Sequence, residues 1–306
     1  MNGVVSRMIE TQALLFLYML CGYIVGRLRI LREDNREPVV RILMDVAMPM
    51  MILNAFNKPV SHEEILSALG VMGISLAGCL STWALGALLW RRQPDNRRHV
   101  LMYGTMFSNA GNAGLPIMSL VFGPLGVFYG SMYLIPPRIL QWTVGMGFFT
   151  GRHQKGWLKR LLLHPMVVMI YIGAFLMATG WQITGPAGNA IAGLGAMVGP
   201  LSMILIGAAL TQMNPRMLLD RTVLVISGIR LIFIPLATAM ILRLFGCGQT
   251  AMAVAVVLLA MPVASNTAAM AERYGGDYVF ASACVSVSTL FSVLTVPLIT
   301  WFIQMI

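Results

Sequence analysis

Two short polar runs interrupt otherwise apolar segments and carry amide and hydroxyl groups that could bind a ligand. The first run is Ser108–Pro116 and the second is Met261–Asn266. Glycine and proline disfavour a continuous helix, through backbone entropy and a missing N–H, so both runs predict helix breaks. An asparagine amide offers one acceptor oxygen and two donor hydrogens. The predicted binding residues are Asn109, Asn112, Ser265 and Asn266, and the predicted helix-breaking residues are Gly111, Gly114, Pro116 and Pro262.

Three charged residues lie inside apolar segments and are further candidates. Arg138 and Arg230 present a planar fork that suits a carboxylate, so either could offset the charge of an anionic substrate. The alternative for each arginine is a bond to a backbone carbonyl or a lipid phosphate. Asp45 could couple transport to an ion, or could form a structural ion pair with Arg41, one helical turn away.

The composition places these residues in a membrane protein. Of the 306 residues, 58% are hydrophobic and only 10% are charged, and the mean hydropathy is +0.79. Soluble domains carry about 25% charged residues, so a soluble fold is excluded. We expect an all-α integral membrane protein with about ten spans of roughly 20 residues. They are placed at residues 11–31, 39–56, 65–90, 99–121, 123–149, 163–181, 187–211, 219–245, 249–271 and 277–304.

The distribution of basic residues predicts the orientation. The net charge of +10 arises between the spans, so topology explains it better than nucleic-acid binding does. Alternate loops hold only Arg7, Lys58 and Arg243, so the positive-inside rule places both termini outside the cytoplasm. The other loops hold Arg27, Arg29, Arg32, Arg36, Arg41, Arg91, Arg92, Arg97, Arg98, Arg152, Lys155, Lys159, Arg160, Arg216, Arg221 and Arg273.

Weak internal similarity predicts a repeat. Met48–Leu53 matches Gly199–Ile204, and Gly22 falls on Gly173 at the same spacing. Because each half has five spans, an odd number, the second half enters the membrane from the opposite side as an inverted repeat. The predicted domains are residues 1–149, a basic cytoplasmic linker at 150–162, and residues 163–306. The polar runs then interrupt spans 4 and 9, at corresponding positions of the two halves.

Other chemistry is less favoured. A lone proline kink would use its polar side chains to satisfy freed backbone groups, but paired breaks favour a transporter's binding site. Methionine thioethers select copper(I), yet the Met44–Met51 cluster is better explained as flexible packing. Phosphate-loop, zinc-hydrolase and nucleophile-elbow motifs are missing from the sequence, so neither an enzyme nor a metal site is expected.

Glu272, Arg273 and Asp277 are expected in a solvated loop. The cysteines Cys21, Cys79, Cys247 and Cys284 lack metal-ligand spacing and are expected to pack as small apolar residues.

The two polar runs, together with the residues that follow the second, resemble the auxin efflux carrier family in its bacterial branch. The resemblance implies a fold similar to bile-acid/sodium symporters, in which spans 4 and 9 are broken and cross. It also implies a scaffold of spans 1, 2, 6 and 7, often dimeric, and a moving transport domain of spans 3–5 and 8–10. Family substrates are organic anions, namely auxin in plants and dicarboxylates such as malate or malonate for bacterial members. Asn109 matches the family's span-4 asparagine. The following residues of the resemblance are Ala271–Asp277, Ser288–Ser292 and Pro297–Leu298.

The predicted function is therefore a secondary active transporter of a small organic anion in a bacterial plasma membrane, working by elevator-type alternating access. Its expected partners are the anion, the lipid bilayer and a second copy in a homodimer, without nucleic acid. No organic cofactor is expected, and coupling to H⁺ or to Na⁺ is left open. The alternative is a membrane-embedded sensor that binds the anion without net flux.

Overall fold

The computed structural model describes residues 2–32, 34–57, 61–150, 159, 162–163, 165–211, 220–244, 249–274 and 276–305. Most of the predicted linker at 150–162 lies outside the described residues, as does Cys247. Every regular element in the described ranges is helical, which agrees with the predicted all-α class. The α-helices are α1 (Asn2–Arg27), α2 (Glu37–Arg41), α3 (Met48–Phe56), α4 (His62–Leu89), α5 (Asp95–Met106), α6 (Leu115–Leu140), α7 (Met146–Thr150), α8 (Pro165–Thr179), α9 (Gly185–Ala196), α10 (Val198–Leu210), α11 (Arg221–Gly228), α12 (Ile234–Leu244), α13 (Gln249–Leu259), α14 (Asn266–Tyr274) and α15 (Tyr278–Met305).

Among the described residues, short π-helical segments widen four of the helical stretches. Three of them contain Asp45, Asn112 and Arg230, and the fourth begins three residues after Arg138. Such bulges are rare and are found frequently at functional sites. The segments are Ile42–Ala47, Ala110–Gly114, Gln141–Gly145 and Ile229–Phe233.

Six helical stretches among the described residues are long and apolar enough to cross a membrane. Large apolar side chains such as Phe16 and Leu244 are exposed on the helices, as expected for surfaces that face lipid. At Gly123, where φ is +62°, the backbone leaves the helix within the longest stretch. The total of ten spans, the inverted repeat and the orientation stay predictions. The six stretches are Glu37–Phe56, His62–Leu89, Ala110–Phe149, Gly185–Ala208, Arg221–Leu244 and Tyr278–Ile303, and shorter apolar helices are Phe16–Arg27, Pro165–Thr179 and Gln249–Leu259.

The chain forms two compact units. In unit 1, α1 packs along α10, and α3 packs against both α8 and α9. The amide of Asn57, just after α3, donates to the carbonyl of Ile183 at 2.8 Å and accepts from its N–H at 2.7 Å. Unit 1 comprises Met1–Leu69, Leu115–Met132 and Leu158–Gln212, and unit 2 comprises Gly70–Gly114, Tyr133–Trp157 and Met213–Ile306.

Glycines allow α1 and α10 of unit 1 to approach closely. A Cβ at Gly22 would overlap the carbonyl oxygen of Ile204, and a Cβ at Gly207 would overlap the carbonyl oxygen of Met19. Small residues at such contacts are typical of membrane helices, which gain stability from van der Waals packing rather than from a hydrophobic driving force.

We expect Gly22→Ala to lower the thermal unfolding temperature of the purified protein in detergent. The added methyl group meets backbone, which cannot rotate away, so α1 and α10 must separate at a cost of about 1–3 kcal/mol. Gly193→Ala in α9 is the matched control, because a Cβ there meets nothing within 4 Å. Equal unfolding temperatures for the two variants would contradict this account of the packing.

Unit 2 has an apolar core between α5, α11 and α15. Val100, Val223 and Cys284 are fully buried in this core. Nearby, the ring of Tyr103 lies 4.8 Å from that of Phe107, between centroids. The core thus holds α5 firmly up to the residue where the first polar run begins.

Asp277 lies between α14 and α15, outside regular helix as expected, but its carboxylate is paired rather than solvated. Its carboxylate accepts from Arg97 Nε at 3.1 Å and from the Phe280 N–H at 3.0 Å, so it joins the start of α5 to the start of α15. Glu272 and Arg273 also differ from the expectation, because they lie within helix α14. The spacing of these charges in the sequence could not reveal that two distant helix ends meet here.

The expected ion pair between Arg41 and Asp45 is not formed. Arg41 instead pairs with Glu37 at 2.6 Å, on the preceding turn, and both side chains are exposed. Asp45 is itself exposed and sits in the π-helical segment Ile42–Ala47. The extra residue in a π turn shifts the register of the helix face, so the spacing of four residues no longer brings Asp45 onto Arg41.

Candidate functional site

The two polar runs meet within unit 2. Helix α5 ends at Met106 and the chain becomes extended at Phe107, and a second extended stretch follows α13. Ser108 and Val263 form an antiparallel bridge between the stretches. The Asn109 N–H donates to the Pro262 carbonyl at 2.8 Å, and the Ala264 N–H donates to the Phe107 carbonyl at 3.2 Å. The breaks predicted in the two halves are therefore held against each other.

Serine hydroxyls satisfy backbone groups that the breaks leave free. Ser108 Oγ donates to the Leu258 carbonyl at 2.9 Å, at the end of α13. The Val263 N–H donates to Ser288 Oγ at 3.1 Å. Non-helical backbone inside a membrane protein requires such partners. The kink interpretation is thus correct for the serine Ser108, but it does not account for the asparagines.

Two helices begin at this crossover. The π-helical segment Ala110–Gly114 leads directly into α6, and α14 begins at Asn266. Within the described residues, no backbone carbonyl accepts from the N–H groups of Gly111, Asn112, Ser265 or Asn266. Free N–H groups and the positive end of the helix dipole both favour an anion at such a place.

The helix starts and two further helical turns line a cleft, all within unit 2. It contains about 340 Å³ of space free of protein atoms, counting its open mouth. The lining residues are Ser108, Asn109, Ala110, Gly111, Asn112, Leu134, Pro137, Arg138, Gln141, Ala264, Ser265 and Asn266.

The asparagines and the serine form a short polar chain along the cleft. Asn112 Nδ2 donates to Ser265 Oγ at 3.1 Å, and that hydroxyl reaches Asn109 Oδ1 at 3.5 Å. No described residue accepts a hydrogen bond from the Asn109 side-chain nitrogen, and the Asn266 side chain also lacks a protein partner there. These amide groups are available to a ligand.

Arg138 supplies the positive charge of the cleft. Its guanidinium lies over Gly111, where an added Cβ would be only 2.7 Å from Nη2. The side chain is half-buried, and among the described residues it has neither a hydrogen-bond acceptor nor a carboxylate partner. The guanidinium therefore occupies the space beside Gly111, and a side chain at this position would have to displace it.

Gln141 is a lining residue that the sequence analysis missed. It is 8% exposed and begins the π-helical segment Gln141–Gly145. Its spacing of three residues from Arg138 places both side chains on one helix face. That spacing was the available signal, but a single glutamine in an apolar segment does not otherwise differ from a packing residue.

The structure does not bring Arg230 or Asp45 into the cleft. Arg230 is buried elsewhere in unit 2, and Asp45 belongs to unit 1. Of the four predicted helix-breaking residues, Gly111 lines the cleft. A Cβ at Gly114 would be 2.6 Å from Leu258 Cδ2, so this glycine allows the two broken stretches to pack closely. Pro116 lies in the first turn of α6, where the missing N–H is tolerated, and the Pro262 carbonyl accepts a hydrogen bond from the Asn109 N–H.

Potential metal ligands do not cluster in the described part of the chain, where no group of three or more histidine, cysteine or acidic side chains comes together. Cys79 and Cys284 are buried thiols, and Cys21 is exposed on α1. The polar groups of the cleft are instead amides, hydroxyls and one guanidinium, which suit an organic anion better than a transition metal.

Comparison with known proteins assigns the chain to a family. The profile of the family described as membrane transport protein matches residues 7–300. The chain belongs to this family. The resemblance to auxin efflux carriers is thereby confirmed. The chain is also 26% identical over 298 residues to an uncharacterized transporter from Methanothermobacter thermautotrophicus, covering 94% of this chain and 96% of the relative. The chain is thus an integral membrane protein and a transporter.

Proposed function

We propose that this transporter is a secondary carrier of a small organic anion with at least one carboxylate, and that the cleft is its binding site. The observation that carries the proposal is the Arg138 guanidinium, which lines the cleft and has neither a hydrogen-bond acceptor nor a carboxylate partner among the described residues. An unpaired charge in an apolar protein is costly and marks substrate pathways. A carboxylate would complete it with two parallel hydrogen bonds.

Other groups around the cleft are also hydrogen-bond donors that suit an anion. The free N–H groups of the two helix starts and the amides of Asn109 and Gln141 are all donors on residues that line the cleft. Donors on several sides of one anion favour a compact carboxylate, such as malate or malonate, whose second carboxylate or hydroxyl can use the amides. A cationic substrate would place like charge beside Arg138 and is disfavoured.

The division into units supports alternating access. All the lining residues belong to unit 2, so the site can move as a part of that unit. We therefore propose unit 2 as the transport domain of an elevator and unit 1 as the scaffold. The stretch Leu115–Met132 clusters with unit 1, although the family resemblance implies that its spans belong to the transport domain. A homodimer formed through the scaffold stays a prediction, as does a bacterial inner-membrane location.

Two glycines favour the inverted repeat. Gly22 and Gly173 correspond in the predicted repeat, and each is a site of close helix packing in unit 1. Gly22 of α1 lies against Ile204 of α10, and Gly173 of α8 lies against Phe56 of α3. Span 1 thus contacts span 7, and span 6 contacts span 2. Because spans 1 and 2 correspond to spans 6 and 7 in the predicted repeat, these two contacts are equivalent, as a two-fold relation between the halves requires.

Counterflow in proteoliposomes tests the function. Vesicles loaded with unlabelled malonate, malate or an auxin should accumulate the same labelled anion faster than empty vesicles, because a carrier exchanges substrate across the membrane. Liposomes without protein and vesicles loaded with a neutral sugar are the controls. A carboxylate that raises the unfolding temperature without any counterflow would indicate a sensor instead. If no carboxylate either binds or shows counterflow, the anion site is refuted.

A further inference from the structure

Arg230 is a buried cation outside the binding cleft. It is 1% exposed, in the π-helical segment Ile229–Phe233 between α11 and α12. Its Nη1 donates to the carbonyl oxygen of Thr105 at 2.9 Å. In the described part of the chain, its Nε lacks a hydrogen-bond partner and none of its nitrogens pairs with a carboxylate.

Thr105 lies in the last turn of α5, immediately before the break. The last carbonyls of a helix have no intrahelical partner, and they form the negative end of its dipole. Helix α5 ends at Met106 inside the buried core of unit 2, so water does not reach the Thr105 residue, which is fully buried. The carbonyl end of this half-helix therefore needs a cation or another donor from the protein.

The surroundings of Arg230 supply dipoles but no formal negative charge. The ionisable side chains near enough to interact with it electrostatically are Cys79 and Tyr133, which are neutral acids near neutral pH. The Thr105 side chain is fixed separately, because its hydroxyl accepts from Trp90 Nε1 at 2.9 Å. Among the described groups, the Thr105 carbonyl is thus the only hydrogen-bond acceptor of Arg230.

We propose that Arg230 is a built-in cation that takes the place of a bound coupling ion at the carbonyl end of α5, so that transport needs no Na⁺ there. In broken membrane helices, carbonyl ends of half-helices are the groups that coordinate Na⁺. A guanidinium attached to the protein satisfies the same carbonyl without being released at either side of the membrane. This inference rests on the proposed carrier function, and it assigns Arg230 a role that differs from substrate binding.

Thermal unfolding of purified variants tests the built-in cation without requiring a substrate. Arg230→Ala should unfold at a lower temperature than the wild type in choline chloride. Guanidinium at a non-denaturing concentration should restore about half or more of the loss, because it refills the vacated place. Sodium should restore part of the loss, and neutral urea should restore none. Arg230→Lys should be intermediate, and Arg243→Ala, an exposed arginine of α12, should behave as the wild type in every salt.

Equal responses of Arg230→Ala to guanidinium, sodium, choline and urea would overturn the proposal. If Arg230→Ala does not fold, the proposal is tested by the unfolding temperature of Arg230→Lys and by the counterflow of the wild type. Counterflow by the wild type should change by less than about twofold when choline replaces Na⁺, and a saturable requirement for Na⁺ would overturn the proposal. Failure to find any transported carboxylate would refute the carrier function, whereas the unfolding data would still test the cation site.

Discussion

Replacing Arg138 with alanine is expected to reduce counterflow at low substrate concentration by roughly 30-fold to 1,000-fold. Removing one partner of a desolvated, hydrogen-bonded charge pair costs about 2–4 kcal/mol, and each 1.4 kcal/mol is about tenfold in affinity. The substrate carboxylate would be that partner, because the described residues provide none. Initial rates of labelled anion uptake in proteoliposomes measure the effect.

The same variant should not lose stability. Because the guanidinium of Arg138 has no protein partner among the described residues, its removal deletes an uncompensated charge, so the unfolding temperature should be equal or higher. Arg138→Lys keeps the charge but loses the planar fork, and it should transport at an intermediate rate. Arg243→Ala is the control for the loss of a positive charge. If Arg138→Ala takes up the anion at the rate of the wild type, Arg138 does not bind the substrate.

Asn109→Ala is the second change with a large expected effect, a loss of roughly 30-fold to 700-fold in counterflow. Two hydrogen bonds to a charged ligand would be lost, at about 1–2 kcal/mol each. The backbone bonds of residue 109 do not depend on its side chain. Its N–H would still donate to Pro262, and its carbonyl would still accept from Ala113 and Gly114. Folding and membrane insertion should therefore be preserved.

An unfolding temperature close to that of the wild type, combined with lost counterflow, would support the binding role of Asn109. Asn109→Asp should be more damaging than the alanine variant, because it adds a negative charge at the place that binds an anion. Asn96→Ala is a matched control, since Asn96 is an exposed asparagine near the start of α5. If uptake by Asn109→Ala is unchanged, as it should be for the Asn96→Ala control, then Asn109 does not bind the substrate.

Much of the candidate site follows from local sequence. The glycines and prolines of Ser108–Pro116 and Met261–Asn266 forbid a regular helix, and the polar residues in those runs are rare in apolar segments. Their positions were therefore visible in the sequence, and the structure brings Asn109, Asn112 and Ser265 together. Gln141 was missed because its contribution depends on which way its helix faces.

The remaining misses have the same origin in packing. The spacing of Arg41 and Asp45 predicts a pair only in a regular α-helix, and the π-helical segment at Ile42–Ala47 changes the register. Asp277 was expected to be solvated, whereas it pairs with Arg97 and so joins the starts of α5 and α15. Sequence spacing describes one helix at a time, whereas these pairs depend on helix register and on distant segments.

Hydropathy, charge and backbone-breaking residues determined that this chain is a helical membrane protein with two interrupted segments, because each of these properties acts locally along the chain. Arg138 and Arg230 are alike in the sequence, since both are single arginines within apolar helices. Only the tertiary structure decided that Arg138 faces the cleft while Arg230 is buried against the end of α5. The direction of a side chain is fixed by the helices packed around it, and that packing is not written in the spacing of residues along one helix.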